Sequence, residues 1–420
     1  MLEFYIDSES KLRQLRQCPV GKYLDDFAQW LQLSGYKQRP AQLILRAAAH
    51  FGHWVSEYAV PIEQLCDELI DSFARHLPTC ACSHGFQGRG NYHAAGARHF
   101  LAHLRTVGTV SAPAVEPVPM APLAKQFRNW MLQHRGVTEG TLANYLPLVQ
   151  EFLATLGDDT STYDASQVRD FILAVSSRHG EARTRSTVNA VRMFLRFLAV
   201  CGHCSPDLVA AVPGIARWRL AALPRYIDAV DIERLIAVCD PDCAAGSRDR
   251  AIILLLVRLG LRAGDVRDLL LADIDWSHGR LRVMGKGRCE SWLPLPQEVG
   301  EAILHYLEHF RPRIDDEHVF LRVYAPLGPF PSSGPISKLV RRAIQRAGIK
   351  APSMGAHVLR HSAATAMLRQ GVALDIIGAV LRHRCIESTA HYAKVDTALL
   401  HKVTQPWLSE GDPPAAGFFA

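Results

Sequence analysis

Residues 248–265 read RDRAIILLLVRLGLRAGD. From Arg248 to Leu259 this segment is apolar nearly all round, the pattern of a helix buried on every side. Its uninterrupted apolar run, Ala251 to Val257, is too short to span a bilayer. Gly260 interrupts the helix, and Arg262 and Asp265 follow at once. The reading is therefore a core helix whose end delivers charged groups. A second helix is expected just before it, over Val230–Cys239. After it come short extended pieces, Ala272–Trp276, Leu281–Met284 and Ser291–Leu295, separated by the glycine-bearing turns Ser277–Arg280 and Gly285–Arg288. That alternation predicts an antiparallel meander. Helices are expected again over Gln297–Phe310, Ile336–Ala347, Gly355–Gln370, Ala373–Leu381 and Ser388–Val395. The C-terminal part is thus read as α+β with helices dominating.

Upstream, prolines 113, 117, 119 and 122 fall in a stretch without periodicity, which excludes a helix or central strand and marks a linker over 109–122. A second break lies between Val212-Pro213-Gly214 and Leu223-Pro224. The two regions before that break resemble each other. Phe27-x-x-Trp30-Leu31 returns as Phe127-x-x-Trp130-Met131, and Phe100-Leu101-x-x-Leu104 as Phe194-Leu195-x-x-Leu198. Apolar residues at helical spacing in both predict two small helical bundles, related by duplication. The expected fold class is mainly α with a small antiparallel sheet. Its expected parts are a helical domain over 1–108, the linker, a helical domain over 123–213, an α+β domain over 224–405 and a tail over 406–420.

The 420 residues exceed one ordinary core, and 48% hydrophobic with 21% charged residues is a globular balance. A net charge of +6 permits a polyanionic partner without requiring one. The N-terminus MLEFYIDSES has no basic stretch leading into an apolar run, so a cytoplasmic protein without a membrane segment is expected. Ten irregularly spaced cysteines argue for reduced thiols rather than a disulfide framework. Cys80-Ala-Cys82-Ser-His84, with His93 and His99 nearby, and Cys201-Gly-His-Cys204 carry zinc-type ligands. Neither has the paired spacing of a zinc motif, so buried or turn cysteines and no metal are expected.

Five stretches carry the chemistry: Arg248-Asp-Arg250 leading to Leu259-Gly-Leu-Arg262-Ala-Gly-Asp265; Gly285-Lys286-Gly287; His357-Val-Leu-Arg360-His361; Leu381-Arg-His383; and His391-Tyr392. In order and spacing they resemble the tyrosine recombinase, or phage integrase, family. Each is weak alone; all five in sequence are a strong signal. The resemblance implies that Tyr392 is a nucleophile storing phosphodiester energy in a covalent phosphotyrosine. Arg262 and Arg360 would grip the non-bridging phosphate oxygens, since guanidinium groups offer paired donors. His357, at i and i+3 with Arg360, would bond the phosphate or take the tyrosine proton, with His361 beside it. Lys286, on a hairpin tip, would protonate the departing 5′ oxygen. His383 matches a phosphate-bonding position, and Asp265 an acidic residue that holds the cations in place. One departure stands out: the family usually has glycine where this chain has Arg382.

The same resemblance implies a clamp around double-stranded DNA. The 123–213 domain corresponds to a SAM-like core-binding domain, with Arg169, Arg183, Arg185, Arg192 and Arg196 available for phosphates, as is Arg288 on the hairpin turn. Residues 1–108 would extend the DNA footprint or join protomers, and the tail would dock on a neighbour. The implied activity is site-specific recombination by a tetramer at DNA recombination sites. A mobile-element origin, association with the nucleoid, accessory recombinases or DNA-bending proteins, and no cofactor complete the expectation. A type IB topoisomerase and a non-cutting DNA-binding regulator are the alternatives.

Overall fold

The computed structural model describes residues 1–82, 86, 90, 92–111, 120–215, 225–284, 290–383, 389 and 392. The chain divides into two compact units, one of residues 108–218 and one that combines 1–107 with 219–420.

Residues 1–107 carry α1 (Glu9–Gln17), α2 (Gly21–Leu33), α3 (Gln38–Glu57), α4 (Asp67–His76) and α5 (Tyr92–Thr106). The apolar faces of α2, α3 and α5 meet over Phe27, Leu31, Leu45, Phe51, Phe100 and Leu104, all fully buried. Residues 108–218 carry α6 (Pro122–Arg135), α7 (Glu139–Leu156), α8 (Ala165–Arg178), α9 (Glu181–Val200) and α10 (Asp207–Ala211). Here α8 begins at a capping box. The Asp164 carboxylate accepts from the Ser166 and Gln167 amides at 2.7 and 2.8 Å, and the Gln167 side chain accepts from the Asp164 amide at 3.1 Å. Such a cap is worth about 1 kcal/mol.

The two bundles repeat one internal pattern. Phe27 stacks on Trp30 at 5.8 Å and meets Phe100 edge-on at 5.2 Å; Phe127 stacks on Trp130 at 6.5 Å and meets Phe194 edge-on at 5.4 Å. In both, the second and fourth helices of the repeat pack together, as α3 with α5 and α7 with α9.

The C-terminal part begins with α11 (Ala229–Ala237) and α12 (Ala244–Arg258), followed by the single-turn α13 (Ala263–Arg267). Ala251 to Leu256 on α12 are all inaccessible to solvent, so this helix forms the axis of the core. A three-stranded antiparallel sheet follows, in the order β1 (Ile274–Asp275), β2 (Arg280–Met284) and β3 (Glu290–Pro294). The expected first strand, Ala272–Trp276, is shorter because Asp273 accepts from the Leu270 amide at 3.0 Å and winds Leu271–Asp273 into a 3₁₀ turn. Then come α14 (Gln297–His309), the antiparallel pair β4 (Leu321–Arg322) and β5 (Gly328–Pro329), α15 (Gly334–Arg346), α16 (Ala356–Arg369) and α17 (Leu374–Val380). The expected helix over Ser388–Val395 lies outside the described residues except for 389 and 392. The fold is thus mainly helical with small antiparallel sheets. Among the described residues no helix is long and apolar enough to cross a membrane.

Two glycines are fixed by close approach. Gly35, at φ +81°, follows α2, and a Cβ there would sit 2.4 Å from the Leu327 side chain; beside it the Leu327 amide donates to the Ser34 carbonyl at 3.0 Å. Gly260, at φ +61°, ends α12, where a Cβ would lie 2.5 Å from Leu381. Glycine alone accommodates both demands at low cost. Gly260 thereby sets the direction in which the chain reaches Arg262.

Candidate active site

The ends of two helices, α12 and α17, converge on Arg360, which stands on α16. Its guanidinium is buried and donates from Nη1 to the Gly260 carbonyl at the end of α12, and from Nη2 to the Leu381 carbonyl at the end of α17. A guanidinium has five N–H groups, so donors remain after both bonds are made. Arg262, two residues beyond Gly260, caps α13: its amide donates to Asp265 Oδ2 at 2.9 Å, and its Nη2 donates to the Arg382 carbonyl at 3.2 Å. Arg360 therefore holds together the two turns that present Arg262 and His383.

Arg382 occupies the position where glycine was expected, and the backbone keeps the glycine conformation, with φ +54°. A non-glycine residue there costs about 1–2 kcal/mol. An ion pair from Arg382 Nη2 to the Asp265 carboxylate offsets that cost, with both side chains about nine-tenths buried. Among the described residues, Arg382 Nε and Nη1 are buried without a hydrogen-bond partner. Arg382 and Arg262 thus flank one carboxylate at 2.5 and 4.0 Å, and with the charge of Arg360 nearby the arrangement has positive charge to spare for an anion.

The histidines respond to that charge. His357 lies on the exposed face of α16, one turn from Arg360. Loss of solvent, then repulsion from Arg360 and Arg262, lowers its pKa. The same causes in the same order, with His357 added, bring His383 down to about 4, so its ring is neutral at physiological pH. Burial, followed by repulsion from Arg262 and Arg382, lowers Arg360 to about 10, which still leaves it charged at neutral pH. His383 Nδ1 pairs with Thr389 Oγ1 at 2.8 Å. When the threonine hydroxyl donates in that pair, His383 Nε2 carries the proton and becomes a donor.

Tyr392 is 2% exposed and packs among Ala364, Leu368, Ile377 and Leu381. Its hydroxyl lies 2.7 Å from His361 Nδ1, and its ring is parallel to His383 at 6.4 Å. Burial pushes the phenol up to about 12, with Arg360 pulling weakly the other way. A proton acceptor is therefore needed to make a nucleophile at neutral pH. Of the two roles open to His357, bonding the phosphate or taking the tyrosine proton, the second falls to His361 by contact, and His357 meets His361 edge-on at 4.3 Å.

Arg262, Asp265, His357, Arg360, His361, His383 and Tyr392 are thus brought into one neighbourhood. Lys286, Arg288 and His391 lie outside the described residues. Sequence reasoning missed Thr389 and the structural part played by Arg382. Thr389 stands three residues before Tyr392 in sequence, and that spacing was its one signal. In the 108–218 unit, three of the five candidate DNA-facing arginines have internal partners: Arg183 pairs with Glu151 at 2.9 Å, Arg185 with Glu181, and Arg192 donates to the Val212 and Pro213 carbonyls at 3.2 and 3.3 Å. Arg169 and Arg196 are exposed.

Comparison with known proteins identifies the family. Residues 225–398 match the Phage integrase family. The integrase/recombinase y4rA of Sinorhizobium fredii is 36% identical, over 97% of this chain and 100% of its own length. Tyrosine recombinase XerD of Lacticaseibacillus casei is 27% identical over 67% of this chain and 98% of its own. Among solved structures, XerH site-specific recombinase bound to palindromic difH substrate aligns with a TM-score of 0.53 at 17% identity, covering 81% of this chain and 97% of that one. A lambda integrase dimer bound to a COC′ core site aligns at 0.51 with 18% identity, covering 64% and 93%; at such identities these two speak for the fold. With a relative of more than one-third identity matched end to end, and the motif residues gathered around one buried tyrosine, the chain belongs to the tyrosine recombinase, or phage integrase, family.

Proposed function

We propose that the protein is a site-specific DNA recombinase that cuts and rejoins strands through Tyr392. The observation that carries this reading is the Tyr392 hydroxyl bonded to His361 at 2.7 Å, next to a pocket of guanidinium groups. The Tyr392 oxygen attacks the scissile phosphorus and its proton passes to His361. The bond from phosphorus to the 5′ oxygen breaks, and Lys286 supplies the proton for the leaving 5′-hydroxyl. Charge that builds on the non-bridging oxygens is met by Arg262 and Arg360, with His357 and neutral His383 as further donors. Attack by the 5′-hydroxyl of a second strand reverses these steps, so phosphodiester energy is conserved and neither water nor a cofactor enters the reaction.

Asp265 keeps Arg262 and Arg382 in place, and Arg382 adds to the positive potential. Arg169, Arg196 and Arg288 are proposed phosphate contacts. Arg183, Arg185 and Arg192 would join them with N–H groups that their internal bonds leave over, or by giving up those partners, a small loss for the exposed ion pairs. Residues 123–213 serve as the core-binding part of the clamp, and residues 1–108, as a copy of it, lengthen the footprint or join protomers. Exchange between two duplexes calls for a tetramer, with accessory recombinases or DNA-bending proteins setting the direction in a mobile element or the nucleoid.

The test is to mix labelled duplexes taken from the DNA flanking the gene. Recombinant duplexes passing through a four-way junction are expected. Relaxation of supercoiled DNA without any exchange would point to topoisomerase chemistry, and binding without covalent attachment would point to a regulator; either outcome overturns the proposal.

A further inference from the structure

The recombination chemistry leaves a second cluster of reactive side chains unused, in the N-terminal bundle. His50 from α3, His76 from the end of α4, and Cys80 and Cys82 from the segment after it each present one ligand atom, and these four atoms all lie within 4.8 Å of one another. Cys80 Sγ is 3.5 Å from His50 Nε2, and Cys82 Sγ is 3.2 Å from His76 Nε2. A tetrahedral zinc with Zn–S of about 2.3 Å and Zn–N of about 2.0 Å requires ligand-to-ligand edges of roughly 3.3–3.8 Å. The two edges fall at or beside that range.

We propose that His50, His76, Cys80 and Cys82 form a structural zinc site. This goes beyond the recombination reading and does not depend on it. Two thiolates cancel the charge of a zinc ion and two imidazoles stay neutral, so the loaded site has no net charge to bury. That matters because His50 is fully buried and Cys80 is 5% exposed. The second ring nitrogen of His50, Nδ1, lies 3.2 Å from His93 Nδ1 on α5. A proton on His50 Nδ1 bonded to His93 leaves Nε2 as the lone-pair donor, the arrangement by which an outer partner orients a metal-binding histidine. Phe73 meets His50 edge-on at 5.0 Å and Trp54 lies 6.0 Å from His76, so the cluster is shielded by aromatic rings. Thiolate and imidazole together select zinc over magnesium or calcium. Bound there, the ion would tie α3, α4 and the following turn together. It would also hold His50 and His76 where the apolar core otherwise needs neither.

The experiment uses the full chain, purified under reducing conditions without chelator. Elemental analysis is expected to find one zinc per chain. Exchange of the metal for cobalt should produce the visible bands of a tetrahedral ion together with thiolate-to-cobalt charge transfer. Cys82→Ser and His76→Ala, both at half-buried positions, should bring zinc to near zero, while Cys243→Ser, at an exposed cysteine elsewhere, should retain it. If the cluster variants fail to fold, the cobalt spectrum of the unaltered protein still decides. A folded, reduced protein with no zinc that takes up no cobalt overturns the proposal, as does a Cys80–Cys82 disulfide or full zinc content in Cys82→Ser. Metal content is read independently of strand exchange, so failure of one reading leaves the other standing.

Discussion

Tyr392→Phe is expected to abolish covalent attachment to DNA, lowering the rate of strand cleavage by at least roughly 10⁴-fold, the scale seen when a nucleophile is removed. Phenylalanine preserves the packing against Ala364, Leu368, Ile377 and Leu381 and deletes only the oxygen bonded to His361. Loss of one such hydrogen bond costs about 1 kcal/mol of stability, too little to unfold the domain. A suicide substrate nicked next to the crossover traps the covalent product, which a denaturing gel resolves by its reduced mobility. Unaltered protein should be trapped without added metal or nucleotide. Equal trapping by the variant would remove Tyr392 from the reaction.

The second large effect is expected at Arg360. Arg360→Lys keeps a positive charge but replaces a planar fork with a point charge. A lysine cannot hold the Gly260 and Leu381 carbonyls together while also reaching a phosphate oxygen. Cleavage measured in a single turnover at saturating protein should fall about 10²–10³-fold. The melting temperature should also drop, because at least one buried carbonyl loses its partner, at about 1–3 kcal/mol. A cleavage rate within a few-fold of the unaltered protein would mean that the guanidinium acts only as a distant charge.

Local pattern explains what the sequence made legible. The apolar run 251–257 identified the core helix α12 because no amphipathic alternative exists for it, and Gly260, Arg262 and Asp265 follow it within eight residues. His357, Arg360 and His361 share one helix, so their spacing already placed them near one another. What stayed hidden depends on partners far apart in the chain. Arg382 and Asp265 are 117 residues apart, and nothing local says that an arginine will take a left-handed glycine position when a buried carboxylate awaits it. Cys80 and Cys82 invited a search for ligands within their own segment, whereas His50 reaches them from a different helix, 30 residues upstream of Cys80. The short β4 and β5 and the single-turn α13 have too few residues to carry a periodicity.

The repeated contacts Phe27–Trp30–Phe100 and Phe127–Trp130–Phe194 bear on the N-terminal region as well. Duplication of a single helical bundle would leave such a repeat, and among the described residues the His and Cys cluster lies in the first bundle. The proposed phosphate contacts of the second bundle and the proposed zinc ligands of the first would then be separate uses of one scaffold, a divergence that fold alone does not predict.

The most direct measurement is to digest the trapped protein–DNA adduct with nuclease and protease and locate the modified peptide by mass spectrometry. The account predicts a nucleotide linked through its 3′-phosphate to the peptide containing Tyr392. Linkage to any other residue, or through a 5′-phosphate, would contradict it.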